Sequence, residues 1–536
     1  MRNIIFVLIT FAHLYSQCWV ATYNGPANDH DFANGLVRTS DGSTYVTGES
    51  KGIDCHEDYC TIKYDRTGTE QWIRRYDGQG GMDCAQAIAA DNTGCVYVTG
   101  RACFPETGTD IVTIKYNSDG ELIWLARYSS PGPVQDIGRD VICDNNGNVY
   151  VTGDCGNIPQ KYPITIKYDS NGIQSWAVID TVRGAACSVG LDDENNIYIA
   201  GFQIACDSNR YLIIKYDSAG VFQWRAGYNI IGYGDELKVT SDGDACMTGA
   251  GGYGGFASWR WDIVTARYNS LGQEQWVQRY DSPAQGWDEG HSLALDNQGN
   301  VYVTGNCAIQ QGSAPAFDWI AIKYSPSGSE EWIRTYGFEG DDESYAIAVD
   351  NQNNAVYVGG YSLKLYPGDQ WNADATIVKY DLLGNLLWEA RWNDYVQCAG
   401  GLYYFTIDEQ GYIYAAGWCW YYSIENYDYL AIGYPPSGPG VSEELCGNVP
   451  PKPIQITILP NPAINITAIR YTLPVLGPVN IKLYNVTGAL VKSHTITNPT
   501  KDGVYFIDAK ALPSGVYILR FNAGDTRITR KLVIEK

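Results

Sequence analysis

The sequence predicts an all-β protein: an eight-bladed β-propeller of four-stranded blades, followed by a small immunoglobulin-like β-sandwich. Three observations carry this. First, one phrase recurs along most of the chain, typified by Ile320–Tyr336, IAIKYSPSGSEEWIRTY: two short apolar runs around a polar turn with a Gly. Its Tyr stands at Tyr64, Tyr116, Tyr168, Tyr216, Tyr268, Tyr324, Tyr380 and Tyr434, at intervals of 48 to 56 residues, the span of a propeller blade. A Gly follows four residues later (Gly68 to Gly438), and a Trp four after that in all but the last copy (Trp72 to Trp388). Second, a Tyr-Val-Thr-Gly signature or a variant of it ends at Gly48, Gly100, Gly153, Gly201, Gly249, Gly305, Gly360 and Gly417. Third, aromatic and β-branched runs broken by Gly, Asn and Asp favour strands, and no helical periodicity appears beyond the N-terminus.

In chain order, residues 1–17 have the form of a signal peptide: Arg2, an apolar run over Ile4–Leu14, then Tyr15-Ser16-Gln17. That run is short for a bilayer span, and no other segment is apolar enough to be one. Cys18 would be a lipid-modified residue only if Gln17 were tolerated where a small residue is expected. Residues 18–438 form the array. In the unit around Asp296 the four strands read His291–Asp296, Val301–Gly305, Trp319–Tyr324 and Glu331–Tyr336. The last unit has no Trp strand of its own. Trp19–Tyr23, ahead of the first signature, is therefore expected to pair beside Leu430–Tyr434 and close the ring, leaving no open edge.

The turns Asp91–Gly94, Asp144–Gly147, Asp65–Gly68 and Asp169–Gly172 are short, with Gly supplying the positive φ of a tight hairpin. Their aspartates read as turn formers, because a full calcium-loop ligand series is missing. The other connections are longer and vary: Ala250–Trp261, Asn306–Phe317 and Tyr361–Ala373. Variable loops on a rigid scaffold are where a site belongs. Aromatic residues on or beside them, Trp259, Trp261, Trp371, Trp418, Trp420 and Tyr421, are the candidate ligand-binding residues, suited to stacking on a sugar ring or anchoring a peptide. The alternative is that they pack between blades.

Cys84 with Cys103, Cys187 with Cys206 and Cys398 with Cys419 repeat one layout, the first entering an inner strand and the second following the signature Gly. Strands about 5 Å apart bring such pairs within disulfide reach. Cys55 with Cys60 is a further candidate. No CxxC pair suggests zinc, and no metal or cofactor is called for.

Residues 439–453 are a Pro-rich linker. Residues 454–536 lose the Tyr/Trp repeat, and alternating runs at Ile466–Leu473, Val479–Asn485, Val504–Asp508, Val516–Asn522 and Lys531–Ile534 predict a small sandwich. Net charge is −23; the chain through Pro453 carries −29 and the tail +6. An acidic propeller argues against nucleic acid or an anionic membrane as partner.

The signature, the Ile-Lys-Tyr-Asp turn and the Trp-x-x-Arg-Tyr strand resemble the SBBP family of bacterial β-propeller repeats over residues 19–438. Asp58, Asp110, Asp262, Asp318, Asp374 and Asp428, each six residues before the Tyr, are regular within it, and Tyr162 and Arg210 depart from it. Leu459-Pro-Asn-Pro462, Leu512–Tyr517 and the end Lys531–Lys536 resemble the C-terminal sorting domain of type IX secretion substrates. That resemblance implies outer-membrane secretion machinery as partner of residues 454–536, with tail removal and surface attachment. The Gly-x-x-x-Trp spacing resembles the Trp-docking repeats of quinoprotein propellers, but no metal-and-quinone pocket is evident.

No Gly-x-Ser-x-Gly elbow, His-Glu-x-x-His or P-loop occurs. The chain has five His, with His13 in the signal segment and His494 in the tail, which leaves little for His-based catalysis. The sequence therefore favours a secreted or surface-attached scaffold binding a glycan or protein. The alternatives are a propeller enzyme (polysaccharide lyase, glycosidase or quinone-dependent dehydrogenase) and a purely structural or adhesive component.

Overall fold

The computed structural model describes residues 19–438 and 455–534, apart from 54–55, 158–159, 206–207, 229–230, 253–259, 310–315, 338–339, 367–369, 393–397, 422–425, 460–462, 464–465, 473–478, 487–488, 497–501, 511 and 524–525. Every regular element among these residues is a strand. The chain divides into two compact units, Met1–Gly447 and Asn448–Lys536. No described helix is long and apolar enough to cross a membrane.

The first unit is a β-propeller. Its inner strands are Asp31–Arg38, Cys84–Ala90, Val134–Cys143, Gly184–Leu191, Ile231–Val239, Glu289–Leu295, Asp342–Asp350 and Cys398–Ile407. Each leads by antiparallel pairing to a second and a third strand, and an outer strand closes each group. In the last group the outer strand comes from the other end of the chain. Trp19–Tyr23 lies antiparallel to Asn426–Tyr434, with Ala21 opposite Ala431. Contacts also join the last group to the first: Arg38 pairs with Asp408 at 2.5 Å, and Tyr429 donates to the Cys60 carbonyl at 3.2 Å.

Two packing devices explain the repeat. The motif Trp of one group lies against the turn Gly of the next: Trp72 on Gly120, Trp124 on Gly172, Trp224 on Gly272. These glycines have φ near 80°, and a methyl group there would overlap the indole. The indole N–H reaches across the seam, as in Trp72 to the Ser118 carbonyl at 3.0 Å. Trp19 lies on Gly68 in the same way, so the borrowed strand carries the same clasp as its sisters.

The second device is a β-bulge in every inner strand. The register slips across Asn34, Gln86, Arg139, Cys187, Asp235, His291, Tyr345 and Tyr403. At each slip the strand's backbone presses on the signature Gly of the second strand. A methyl group at Gly48 would overlap the Phe32 carbonyl, at Gly305 that of Glu289, and at Gly417 that of Gly401. The signature Gly thus marks a close backbone approach.

The turn aspartates bond their own turns. Asp91 accepts the Thr93 and Cys95 amides at 2.9 and 3.0 Å, and the Tyr97 hydroxyl at 2.8 Å. The regular Asp of the third strand meets an arginine of the outer strand: Asp58 with Arg75 at 2.7 Å, Asp110 with Arg127, Asp262 with Arg279. In the group of Asp318 a Thr, Thr335, occupies that outer-strand position, and burial with the nearby Asp342 pushes the Asp318 carboxyl up to about 6.

Two expectations need correction. Tyr361–Ala373 is not a loop: strands Ala355–Tyr366 and Gln370–Asp381 continue their ladder to Tyr366 opposite Gln370, because the run alternates in strand fashion. The disulfide Cys84–Cys103 is absent, and both thiols are free. Cys84 stands opposite Arg101, so Cys103 is two positions further along. The Cys398–Cys419 pair has the same offset, with Cys398 opposite Tyr421 and Cys419 opposite Gly400. Cys187 is a free thiol on a bulge; Cys206 and Cys55 lie outside the described residues.

The second unit has two antiparallel sheets. One orders Gln455–Leu459, Ile466–Thr472 and Asp502–Asp508; the other orders Leu490–Ile496, Val479–Asn485, Gly515–Ala523 and Thr526–Ile534. Ile469, Ile507, Ile481, Leu519, Phe521 and Leu532 form their shared apolar core. The strands Gln455–Leu459 and Leu490–Ile496 were not among those read from the sequence.

If the borrowed strand is a full partner, Trp19→Ala costs as much stability as Trp276→Ala, about 3–5 kcal/mol each. Chemical denaturation of the protein measures both; a Trp19→Ala cost near zero would show that the clasp on Gly68 is idle.

Candidate functional site

Bulge residues of neighbouring groups meet one another: Asp235 with His291, His291 with Tyr345, and Tyr345 with Tyr403. In sequence the bulge residue stands fourteen before the signature Gly, or fifteen for Tyr345. The bulge positions differ in chemistry from group to group. One sector carries Asn34, Gln86 and Arg139. Asn34 donates to the Ala85 carbonyl at 3.0 Å, and Arg139 with Lys161 pairs to the buried Asp154.

The opposite sector combines carboxylates with aromatic rings. His291 Nδ1 lies 3.7 Å from Asp235, and its Nε2 lies 3.9 Å from Glu289. Its ring stacks on Tyr345 at 4.9 Å, and Tyr345 meets Tyr403 edge-on at 4.5 Å. The Tyr345 hydroxyl donates to Glu343, and Tyr361 also hydrogen-bonds to Glu343. Tyr233 donates to Glu289 at 2.6 Å. Trp418 continues the wall, 6.2 Å from Tyr361 and 5.4 Å from Tyr427.

Burial alone would push the His291 pKa down. The hydrogen bond and charge of Asp235, with the charges of Glu289 and Glu343, outweigh it and raise it. Asn306 opposes them: its Oδ1 accepts the Ser344 amide at 2.9 Å, which aims Nδ2 at His291 Nε2, 3.0 Å away. Three carboxylates against one amide set the upward direction. Burial raises the Asp235 pKa, and its contact with His291 offsets part of that.

The candidate residues fall in different places. Trp418 and Trp420 are half-buried; Trp418 borders this sector through Tyr361, whereas Trp420 packs on Tyr427 at 4.4 Å and on His30 at 6.1 Å. Trp261 is not available to a ligand: it is 1% exposed, stacked on Trp287 at 5.9 Å, with Tyr233 at 5.7 Å. Its backbone joins the segment before the next inner strand, Trp261 N–H to Gly286 and Asp288 N–H to Trp261, so packing between groups claims it. The side chains of Trp371 and Tyr421 and all of Trp259 lie outside the described residues. The sequence reading missed Glu289, His291, Tyr345, Tyr361, Tyr403 and Tyr427. The fourteen-residue spacing to the signature Gly would have found two of them, His291 and Tyr403.

The model of the secretion system C-terminal sorting domain matches residues 457–535. The β-propeller repeat model SBBP matches residues 331–367. The chain is a secreted β-propeller protein with a type IX sorting tail. Its place is outside the cell, released or attached to the outer surface. No curated protein sequence matches it. Among solved structures, Sqt1 from Chaetomium thermophilum is 10% identical, with 77% of this chain and 100% of that one covered and a TM-score of 0.49. The periplasmic gluconolactonase PpgL of Pseudomonas aeruginosa is 10% identical, with 77% and 98% covered and a TM-score of 0.38. The Pan2 WD40 domain of Neurospora crassa is 11% identical, with 65% and 88% covered and a TM-score of 0.37.

Because its pKa is raised on folding, His291 stabilises the secreted propeller fully below its unfolded value, about 6.5. That contribution is lost as pH rises through the higher folded value. Thermal unfolding across this window should show a decline that His291→Gln flattens; an unchanged profile in the variant would contradict the assignment.

Proposed function

We propose that the protein is a binding scaffold outside the cell, an eight-bladed propeller that holds a glycan or protein at its axial mouth. The convergence of Tyr345, Tyr361, Tyr403 and Trp418 on the carboxylates of Asp235, Glu289 and Glu343 carries this reading. Aromatic faces supply contact area at little entropic cost, and a few polar groups fix orientation. The inner strands supply rigidity, since their bulges are held by close backbone contact. Closure as eight blades is supported by the pairing of Trp19–Tyr23 and by Trp19 on Gly68. In the same reading residues 1–17 are a removed signal peptide, 18–438 the propeller, 439–453 a linker, and 454–536 an immunoglobulin-like sorting sandwich.

Arrays of glycans and of extracellular proteins, probed with the mature protein, test this. A retained ligand should lose at least tenfold in affinity with Tyr403→Ala or Trp418→Ala, and little with Leu122→Ser on an outer strand. Retention unchanged in both mouth variants, or turnover of a polysaccharide without retention, would overturn it.

A further inference from the structure

Arg101 directly follows the signature Gly100. In other groups the residue at this position meets a bulge side chain: Asp154 meets Arg139, Asn306 meets His291, and Tyr361 meets Tyr345. Arg101 has no such partner. Its Nε is buried without a hydrogen bond, and no carboxylate among the described residues pairs with it. Arg38 and Arg225 also have a buried Nε, but Asp408 and Asp180 hold their guanidinium groups. Glu49, at the same position one group earlier, hydrogen-bonds the Cys84 thiol instead. A buried carboxylate can be satisfied without a cation. Asp83 takes the Gly78 and Cys103 amides, Asp288 takes those of Ser282 and Ala308, and burial pushes the Asp83 carboxyl up to about 6. A guanidinium has no such exit, because it keeps its charge and can only donate. The orphaned nitrogen therefore calls for an acceptor from outside the chain.

The groups around Arg101 define what that acceptor carries. Cys84 stands opposite Arg101 in the strand pair. The Cys84 sulfur accepts Asn34 Nδ2 at 3.4 Å and Gln86 Nε2 at 2.7 Å. With both amide nitrogens so engaged, Asn34 Oδ1 and Gln86 Oε1 hold no hydrogen bond among the described residues. Asn34, Gln86 and Arg101 are all half-buried, so a ligand can reach them. A guanidinium fork matches a carboxylate with two parallel N–H donors, and amide oxygens accept hydroxyl protons. We infer that Arg101, Asn34 and Gln86 form a site for a hydroxylated carboxylate of the uronic-acid class, with the carboxylate on Arg101 and ring hydroxyls on the two amide oxygens. The charge of −29 through Pro453 repels polyanions, which favours one carboxylate on an otherwise neutral sugar over a strongly acidic chain. The site shares no residue with the aromatic sector and goes beyond the binding role proposed above.

Calorimetric titration of the protein tests the inference with three probes: methyl glucuronide, methyl glucoside and a capped Gly-Glu-Gly peptide. The glucuronide should bind about tenfold tighter than either of the others. Arg101→Gln should bring it down to the level of the glucoside. Arg66→Gln, an exposed change of equal charge in the Asp65–Gly68 turn, should leave the preference intact. If Arg101→Gln does not fold, Gln86→Leu, which removes a hydroxyl acceptor, should weaken the glucuronide several-fold and the peptide not at all. Equal binding of glucuronide and glucoside, a stronger response to the peptide, or a preference that survives Arg101→Gln would overturn the inference. Absence of glucuronide binding would overturn it too, and a protein or neutral glycan retained through Tyr403 and Trp418 would then leave the binding role standing.

Discussion

The antiparallel pairing of Trp19–Tyr23 with Asn426–Tyr434 holds the ring shut. A propeller group with three strands would leave the Asn426–Tyr434 edge unpaired and open to other chains. The borrowed strand covers it and brings Trp19 onto Gly68, the same indole-on-glycine contact found at the sister seams. With that contact made, the inner strands are held around one centre. Without it the Asp235–His291–Tyr345–Tyr403 series would lose the constraint that keeps its members in line.

The inner bulges convert that constraint into a site. A bulge re-aims one side chain and needs a partner backbone that can come close, and the signature Gly provides it. The scaffold demands Gly in the second strand but sets no residue type at the bulge. The array can therefore hold Asn, Gln, Arg, Cys, Asp, His and Tyr at equivalent positions without changing its fold. Chemistry is concentrated where the repeat is least regular.

This division also decides what could be read from sequence. Turns, the Trp–Gly spacing and the signature repeat because packing enforces them, so the β-propeller architecture was legible. The bulge residues do not repeat in type, and no periodicity flags them; only their distance from Gly48, Gly100 and the rest does. Loop aromatics were a partial guide. Trp418 lies beside Tyr361, a partner of Glu343, but Trp420 packs on His30 and Tyr427, and Trp261 was claimed by Trp287, a partner that sequence spacing does not reveal. The thiols misled because strand adjacency was taken for register, and a two-residue offset separates Cys84 from Cys103.

Hydrogen exchange of the amides in Trp19–Tyr23 tests the closure most directly. The account predicts that they exchange with the slow core amides of Asn426–Tyr434, because one cooperative unit protects both. Rapid exchange of Trp19–Tyr23 while Asn426–Tyr434 stays protected would contradict it.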